Sequence, residues 1–210
     1  MKRIFLHLIL MLSFSFGYAQ NMEEILTEKV TQLRGAYKKT DLQQFANDFE
    51  RIALSDKQNW LANYYTAFCL IRLADEVEGK EIDAFCDKAE MYLKIAENLP
   101  SDKSEIYALY AYLYSAKVKA NPMFRGSSMG KLSKEYSNKS IKENPDNPRP
   151  YLIRAIGIFY TPKIFGGGEE KARPILDQAL ERFKNFKAER PNYPSWGEGM
   201  ASYLENQYKK

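Results

Sequence analysis

The stretch Tyr-Ala-Leu-Tyr-Ala-Tyr-Leu-Tyr at residues 107–114 decides the fold. Its tyrosines at 107, 110 and 114 recur every three or four positions, which is the spacing of one face of an α-helix. Similar helical patterns open on an aromatic residue at intervals of 43, 44 and 45 residues along the chain: Tyr64, Tyr107, Tyr151 and Trp196. A period of this size indicates helical hairpins that bury their apolar faces against neighbouring hairpins.

A second pattern, made of small residues seven positions apart, accompanies the aromatic one. Its members are Ala46 and Ala53, Ala89 and Ala96, Ser133 and Ser140, and Ala172 and Ala179. Small residues at such positions allow two helices to approach closely. No segment alternates with period two, so the sequence predicts an all-α protein. The breaks between patterns predict one helix that starts near residue 129 and a last helix over residues 195–208.

The beginning of the sequence has the three parts of a secretory signal peptide. Lys2 and Arg3 are followed by an apolar run at residues 4–16 and by small residues near position 19. The run is shorter than a membrane span, and no other segment is long and apolar enough to be one. We therefore expect residues 1–20 to be removed and residues 21–210 to form one helical repeat domain. The expected location is the periplasm of a Gram-negative bacterium or the outside of the cell.

Composition argues against catalysis and against metal or nucleic-acid binding. The only histidine, His7, lies in the predicted signal, so the remaining chain has no imidazole for acid–base work or for zinc ligation. The net charge of the whole chain is +4, and its charges are interleaved rather than grouped, which is typical of solvated helices. We therefore predict a protein that is not an enzyme, with no catalytic residue, no metal site and no cofactor.

Residues 40–208 resemble the tetratricopeptide repeat family. Tyr107, Tyr110, Ala111 and Tyr114 match the family's first helix, and the second helix is matched by Ala89-Leu93-Ala96 and Ala172-Leu176-Ala179. The set Ser133, Ser137 and Ser140 departs from the family pattern, and the period exceeds the family's length of about 34 residues. The resemblance implies a right-handed superhelical solenoid of about four antiparallel helix pairs with a C-terminal capping helix.

The surplus length lies between the two helices of each pair, at one end of the array. Two of these insertions are similar to each other: Pro122-Met123-Phe124-Arg125-Gly126 and Pro162-Lys163-Ile164-Phe165-Gly166. Hairpins with such loops resemble the periplasmic T-component of repeat-associated TRAP transporters. Phe124 and Phe165 either fold back over their hairpins or form an exposed apolar edge for a partner or for self-association.

The resemblance also places a binding surface on the concave face of the first helices. The groove residues that it implies are Tyr65, Arg72, Tyr112, Ser115, Phe159 and Tyr160. Aromatic side chains beside an arginine suit the recognition of peptides and acidic groups. We expect a scaffold or adaptor that holds a segment of another protein in this groove. The alternative is a transport-accessory protein that binds a small ligand and self-associates.

The two cysteines, Cys69 and Cys86, belong to one predicted hairpin. Export favours a disulfide between them. However, pairing Tyr64 with Leu93 across the hairpin places Ile71, rather than Cys69, opposite Cys86. Both a disulfide and two separate buried thiols are compatible with the sequence.

Overall fold

The structure is a computed structural model that describes residues 22–35 and 38–209. The predicted signal peptide lies outside the described residues. The α-helices of the described part are α1 (residues 22–33), α2 (Lys39–Ser55), α3 (Trp60–Asp75), α4 (Lys80–Glu97), α5 (Lys103–Lys119), α6 (Pro122–Glu143), α7 (Pro148–Tyr160), α8 (Glu169–Asn185) and α9 (Glu198–Gln207). A 3-10 turn spans Lys163–Phe165. The described residues contain no strand, which confirms the all-α prediction for them. None of the described helices is both long and apolar enough to cross a membrane.

Helices that follow one another in the chain pack against one another. From α2 to α9, each helix contacts the next, and α3 also contacts α5, α5 contacts α7, and α7 contacts α9. The helices that open on the aromatic pattern therefore form an inner row, and α4, α6 and α8 lie behind them. This arrangement is consistent with the predicted helix pairs.

The small-residue pattern is buried between the helices. All eight residues of the pattern are inaccessible or nearly so: Ala46, Ala53, Ala89, Ala96, Ser133, Ser140, Ala172 and Ala179. The serines that depart from the repeat pattern form hydrogen bonds there. Ser133 Oγ donates to the Ala111 carbonyl at 2.8 Å, and Ser140 Oγ donates to the Ser104 carbonyl at 2.7 Å. The hydroxyls thus link α6 to α5 in the pair where alanine is missing.

Two predicted helix starts are wrong. Helix α6 begins at Pro122, seven residues before the predicted start, because the Asn121 side chain accepts the backbone N–H of Phe124 and proline is tolerated in a first turn. The last helix begins at Glu198 rather than at residue 195. Gly197 precedes it with φ of 110°, a left-handed conformation that favours glycine, and leaves Trp196 outside the helix.

Both cysteines are free thiols and fully inaccessible. The structure therefore has the second of the two states that the sequence allowed. Burial raises the pKa of the Cys86 thiol to about 12 and that of Cys69 further still. Since the thiolate is the reactive form, both residues act as small apolar core residues.

Candidate functional site

A segment without helical structure crosses the inner row of helices. This crossing segment, residues 186–197, joins α8 to α9 and lies against α3 and α5. The Tyr65 hydroxyl donates to the Asn192 carbonyl at 3.1 Å. The Trp196 ring packs on Phe68 at 5.4 Å and stacks on Tyr112 at 5.5 Å between ring centroids. The face that α3 and α5 were predicted to present to a partner is therefore partly covered by the protein's own chain.

Hydrogen bonds from four separate parts of the chain, in or next to α1, α3, α5 and α7, hold the crossing segment. Arg34, just after α1, donates to the Pro191 carbonyl at 2.7 Å. The indole N–H of Trp196 donates to the Tyr64 hydroxyl of α3 at 2.6 Å. The Tyr193 hydroxyl bonds to Asp102, the N-terminal cap of α5. Together with the bonds from α7 described next, these contacts fix both the path of the segment and the orientation of the Trp196 ring.

A buried ion pair lies directly beneath the crossing segment. Arg149 Nη1 is 2.8 Å from Glu105 Oε1, and both side chains are almost completely inaccessible. Glu105 also accepts hydrogen bonds from Asn147 Nδ2 at 2.9 Å and from the Tyr64 hydroxyl at 3.1 Å. Burial raises the pKa of Glu105 to about 7, while the guanidinium of Arg149 opposes that rise. The pair has no access to solvent and its groups bond to one another, so its role is structural.

Arg149, near the start of α7, connects this helix to the crossing segment. Its Nη2 donates to the Pro194 carbonyl at 2.6 Å. Its guanidinium lies 4.5 Å from the ring centroid of Phe186 and 5.5 Å from that of Trp196. A cation over aromatic rings is attracted to their faces, most strongly for tryptophan. One side chain thus holds the segment at its first residue, at Pro194 and at Trp196.

The crossing segment contacts the first and middle turns of α3 and the middle of α5, where Tyr64, Phe68 and Tyr112 lie. Arg72 and Ser115 lie one helical turn beyond the residues that contact Trp196, and both are half-buried. Ile156 and Met200 are also half-buried, and each packs against both apolar clusters of the core. Arg72, Ser115 and Phe159 stand at equivalent positions of α3, α5 and α7 and are half-buried. Together with Ile156, Trp196 and Met200 they define a candidate binding surface, which we call the open groove.

Arg72 is the cation of the open groove. Its guanidinium lies 5.9 Å from the ring centroid of Phe68. Among the described residues it has no hydrogen-bond or ion-pair partner, whereas the nearby Lys119 is paired with Asp75 at 2.8 Å. An arginine with free donors beside an apolar surface can bind a carboxylate in a bidentate manner.

The structure separates the six predicted groove residues into three groups. Tyr65 and Tyr112 are buried, with exposures of 3% and 5%, and their hydroxyls are bonded to Asn192 and Asp75. Arg72 and Ser115 lie in the open groove. Phe159, which also belongs to the open groove, and Tyr160 line a shallow, open depression at the end of α7, together with Thr161, Pro162, Lys163, Gly168 and Glu169. Their roles in binding remain predictions.

The two predicted insertion-edge residues are exposed rather than folded over their hairpins. Phe124 is 83% exposed in the first turn of α6, and Phe165 is 70% exposed in the 3-10 turn. Met123 and Ile164 beside them are equally exposed. The structure therefore has the second of the two arrangements proposed for these residues, and their contact with a partner remains a prediction.

Sequence reasoning missed the buried pair and the position of Trp196. Glu105 and Arg149 carry opposite charges, lie 44 residues apart and each stand two positions before an aromatic residue of the repeat pattern. Equivalent positions of neighbouring repeats are adjacent in space. Opposite charges at one repeat position were therefore the signal that could have revealed the pair.

The described residues contain no group of three or more histidine, cysteine, aspartate or glutamate side chains placed to hold a metal ion. The only histidine, His7, lies outside them.

Comparison with known proteins gives one informative similarity. No family model matches the chain, and no curated protein matches it. Among solved structures, the HusA haemophore from Porphyromonas gingivalis is similar to it, with 35% sequence identity and a TM-score of 0.79. The similarity covers 87% of this chain and 90% of that chain.

Proposed function

We propose that this chain, which belongs to the family of the HusA haemophore, binds haem as a carrier and catalyses no reaction. A haemophore is a protein that captures haem outside the cell, so the proposal includes export of the protein. The observation that carries it is the family membership together with an apolar groove that contains one free arginine. Binding of a small ligand was the second of the two functions expected from the sequence.

The chemistry of haem matches the open groove. Haem has two flat apolar faces and an edge with two carboxylates. Trp196, Ile156 and Phe159 offer aromatic and aliphatic surface for a face, since flat rings bury large areas at low entropic cost. The free guanidinium of Arg72 suits a propionate.

The donor set favours recognition of the porphyrin ring over recognition of the iron. The common protein ligands of haem iron are histidine, methionine, cysteine and tyrosine. In the described chain there is no histidine, and both cysteines are buried. Tyr65 and Tyr112 are buried with bonded hydroxyls, so the exposed Tyr160 beside Phe159 is the tyrosine near the groove that could reach the iron. Met200 is the one thioether among the residues that define the open groove. We therefore expect an iron-free porphyrin to bind with an affinity within about tenfold of that of haem, because most of the binding free energy comes from ring burial.

The finer expectations from the repeat resemblance belong to the same proposal. A right-handed solenoid of helix pairs would give the inner row its concave curvature, and residues 1–20 would direct the chain out of the cytoplasm. A long partner segment fits less well than a small ligand, because the crossing segment already lies on Tyr65 and Tyr112. Self-association through Phe124 and Phe165 remains a separate prediction.

Absorbance titration of the purified protein with haem tests the function. Phe159→Ala removes a half-buried ring from the groove, and we expect the dissociation constant to rise by about 10- to 100-fold, as for the loss of one buried aromatic contact of about 1.5–3 kcal/mol. Phe124→Ala is the matched control, because it removes an identical ring from the insertion edge. A wild-type protein that does not bind haem would refute the function. A loss confined to Phe124→Ala would move the site to the insertion edge.

A further inference from the structure

We infer that the buried Glu105–Arg149 pair is a positioning device for the ligand site, which holds Trp196 in place as the end wall of the open groove. The inference rests on the proposed function for its ligand, although the contacts that carry it are independent of any ligand. Neither Glu105 nor Arg149 can touch a ligand in the groove, because both are almost completely inaccessible.

The contacts form a closed ring that begins and ends on the crossing segment. The Trp196 indole N–H donates to the Tyr64 hydroxyl, which donates to Glu105 Oε2. Glu105 Oε1 accepts from Arg149, and Arg149 donates to the carbonyl of Pro194, two residues before Trp196. The two hydrogen bonds that hold this end of the segment, at Trp196 and at Pro194, are therefore both connected to the carboxylate of Glu105.

This closed series of hydrogen bonds determines the orientation of the Trp196 indole as well as its location. Stacking on Tyr112 and packing on Phe68 leave the Trp196 ring free to slide or rotate in its plane, since apolar contacts are not directional. The hydrogen bond to Tyr64 removes that freedom because its geometry is directional. The edge of the ring that is not bonded to Tyr64 is then held in one position as well.

Breaking this closed series of hydrogen bonds should make Trp196 more mobile without unfolding the protein. The crossing segment has further anchors at Pro191, Asn192 and Tyr193, which do not involve Glu105. A variant that breaks only the link to Trp196 therefore keeps the segment attached. The ligand then has to order the indole on binding, which lowers its affinity.

Tyr64→Phe is the variant that tests this inference, because it removes one hydroxyl and keeps the ring. The matched control is Tyr92→Phe, which removes the hydroxyl of another buried tyrosine, bonded to Glu50 at 2.6 Å on the opposite side of α3 from the crossing segment. Both are made in a Trp60→Phe background, so that Trp196 is the one tryptophan left. The first measurement, quenching of its fluorescence by acrylamide, needs no ligand.

We expect Tyr64→Phe to raise the quenching constant of Trp196 at least about twofold and to weaken porphyrin binding about fivefold, as for one net hydrogen bond. Tyr92→Phe should change neither value. The effect on binding should disappear when Trp196→Ala is added, because the two residues then act through one contact.

Three results would overturn the inference. They are unchanged quenching in Tyr64→Phe, an equal change in Tyr92→Phe, and an effect on binding that persists in the absence of Trp196. If Tyr64→Phe does not fold, Glu105→Gln replaces it in the same measurements. If the wild-type protein does not bind porphyrin, the proposed function fails. The quenching result still decides whether the hydrogen bonds through Tyr64 and Glu105 hold Trp196 in place.

Discussion

Reversal of the one free charge in the open groove should weaken haem binding and leave the fold almost unchanged. Arg72→Glu removes the proposed partner of a propionate and places a carboxylate beside it. Two unit charges 4 Å apart interact by about 1 kcal/mol in water and by about 4 kcal/mol at an effective dielectric constant of 20. Arg72 is half-buried, and exposed ion pairs contribute about 0–1 kcal/mol.

These values give a loss of about 1–2 kcal/mol, which corresponds to a dissociation constant raised about 5- to 30-fold. The folded protein loses little, because the contact of Arg72 with the Phe68 ring is worth about 0.5–1 kcal/mol. Binding and stability should therefore separate in this variant.

Haem titration at about 0.02 M and about 0.5 M salt, combined with thermal unfolding, checks the prediction. The difference between wild type and variant should shrink at the higher salt concentration, because salt screens partly exposed charges. Lys134→Glu makes the same charge reversal on the outer helix α6 and serves as the control. Equal affinities for Arg72→Glu and wild type at low salt, or an equal loss in Lys134→Glu, would refute the role of Arg72.

Two further predictions concern the fold. Burial raises the pKa of Glu105 from an ordinary 4.5 to about 7, so the folded state binds this proton more tightly than the unfolded chain does. The stability gained from that proton is complete below pH 4.5 and is lost as the pH rises through 7. Urea denaturation of Glu105→Gln, which cannot ionise, should therefore show its stability rising relative to wild type between pH 5 and pH 8, and a constant or widening deficit would contradict this. In the second prediction, Gly167→Ala should lower the unfolding free energy by about 1–3 kcal/mol, because a Cβ there would collide with the Thr161 carbonyl and with the Ile158 carbonyl oxygen at 2.6 Å. In contrast, Gly130→Ala on α6, where a Cβ meets nothing, should raise it by about 0.5–1 kcal/mol, as measured by calorimetry.

The sequence predicted the helices well, because their packing is local and periodic. The aromatic interval and the eight small residues at helix contacts are properties of single hairpins and their nearest neighbours, so they can be recognised without knowledge of the whole fold. The start of α6 was missed for a local reason. Pro122 and two glycines suggested a loop, but the Asn121 cap and the packing of α6 on α5 outweigh the low helix propensity of glycine.

The candidate site was harder to predict because it depends on contacts over long sequence distances. Trp196 continues the aromatic interval and therefore resembled the first residue of another helix. The left-handed Gly197 and the prolines at 191 and 194 keep it in the crossing segment instead. Its contact with Tyr64 spans 132 residues, and no periodic pattern signals such a contact.

The buried pair also explains why the chain after α8 lies against the inner helices. Glu105, Arg149 and Pro194 occupy the same position in three successive repeats, and they supply a carboxylate, a guanidinium and a carbonyl oxygen that bond in that order. A carboxylate or a guanidinium repeated at these positions could not form this series, because like charges repel and because a carboxylate only accepts hydrogen bonds whereas a guanidinium only donates them. These bonds hold the chain after α8 against the inner helices. Because Trp196 and the rest of the crossing segment already occupy part of the face that the inner helices share, we propose a flat molecule such as a porphyrin, rather than an extended peptide, as the ligand.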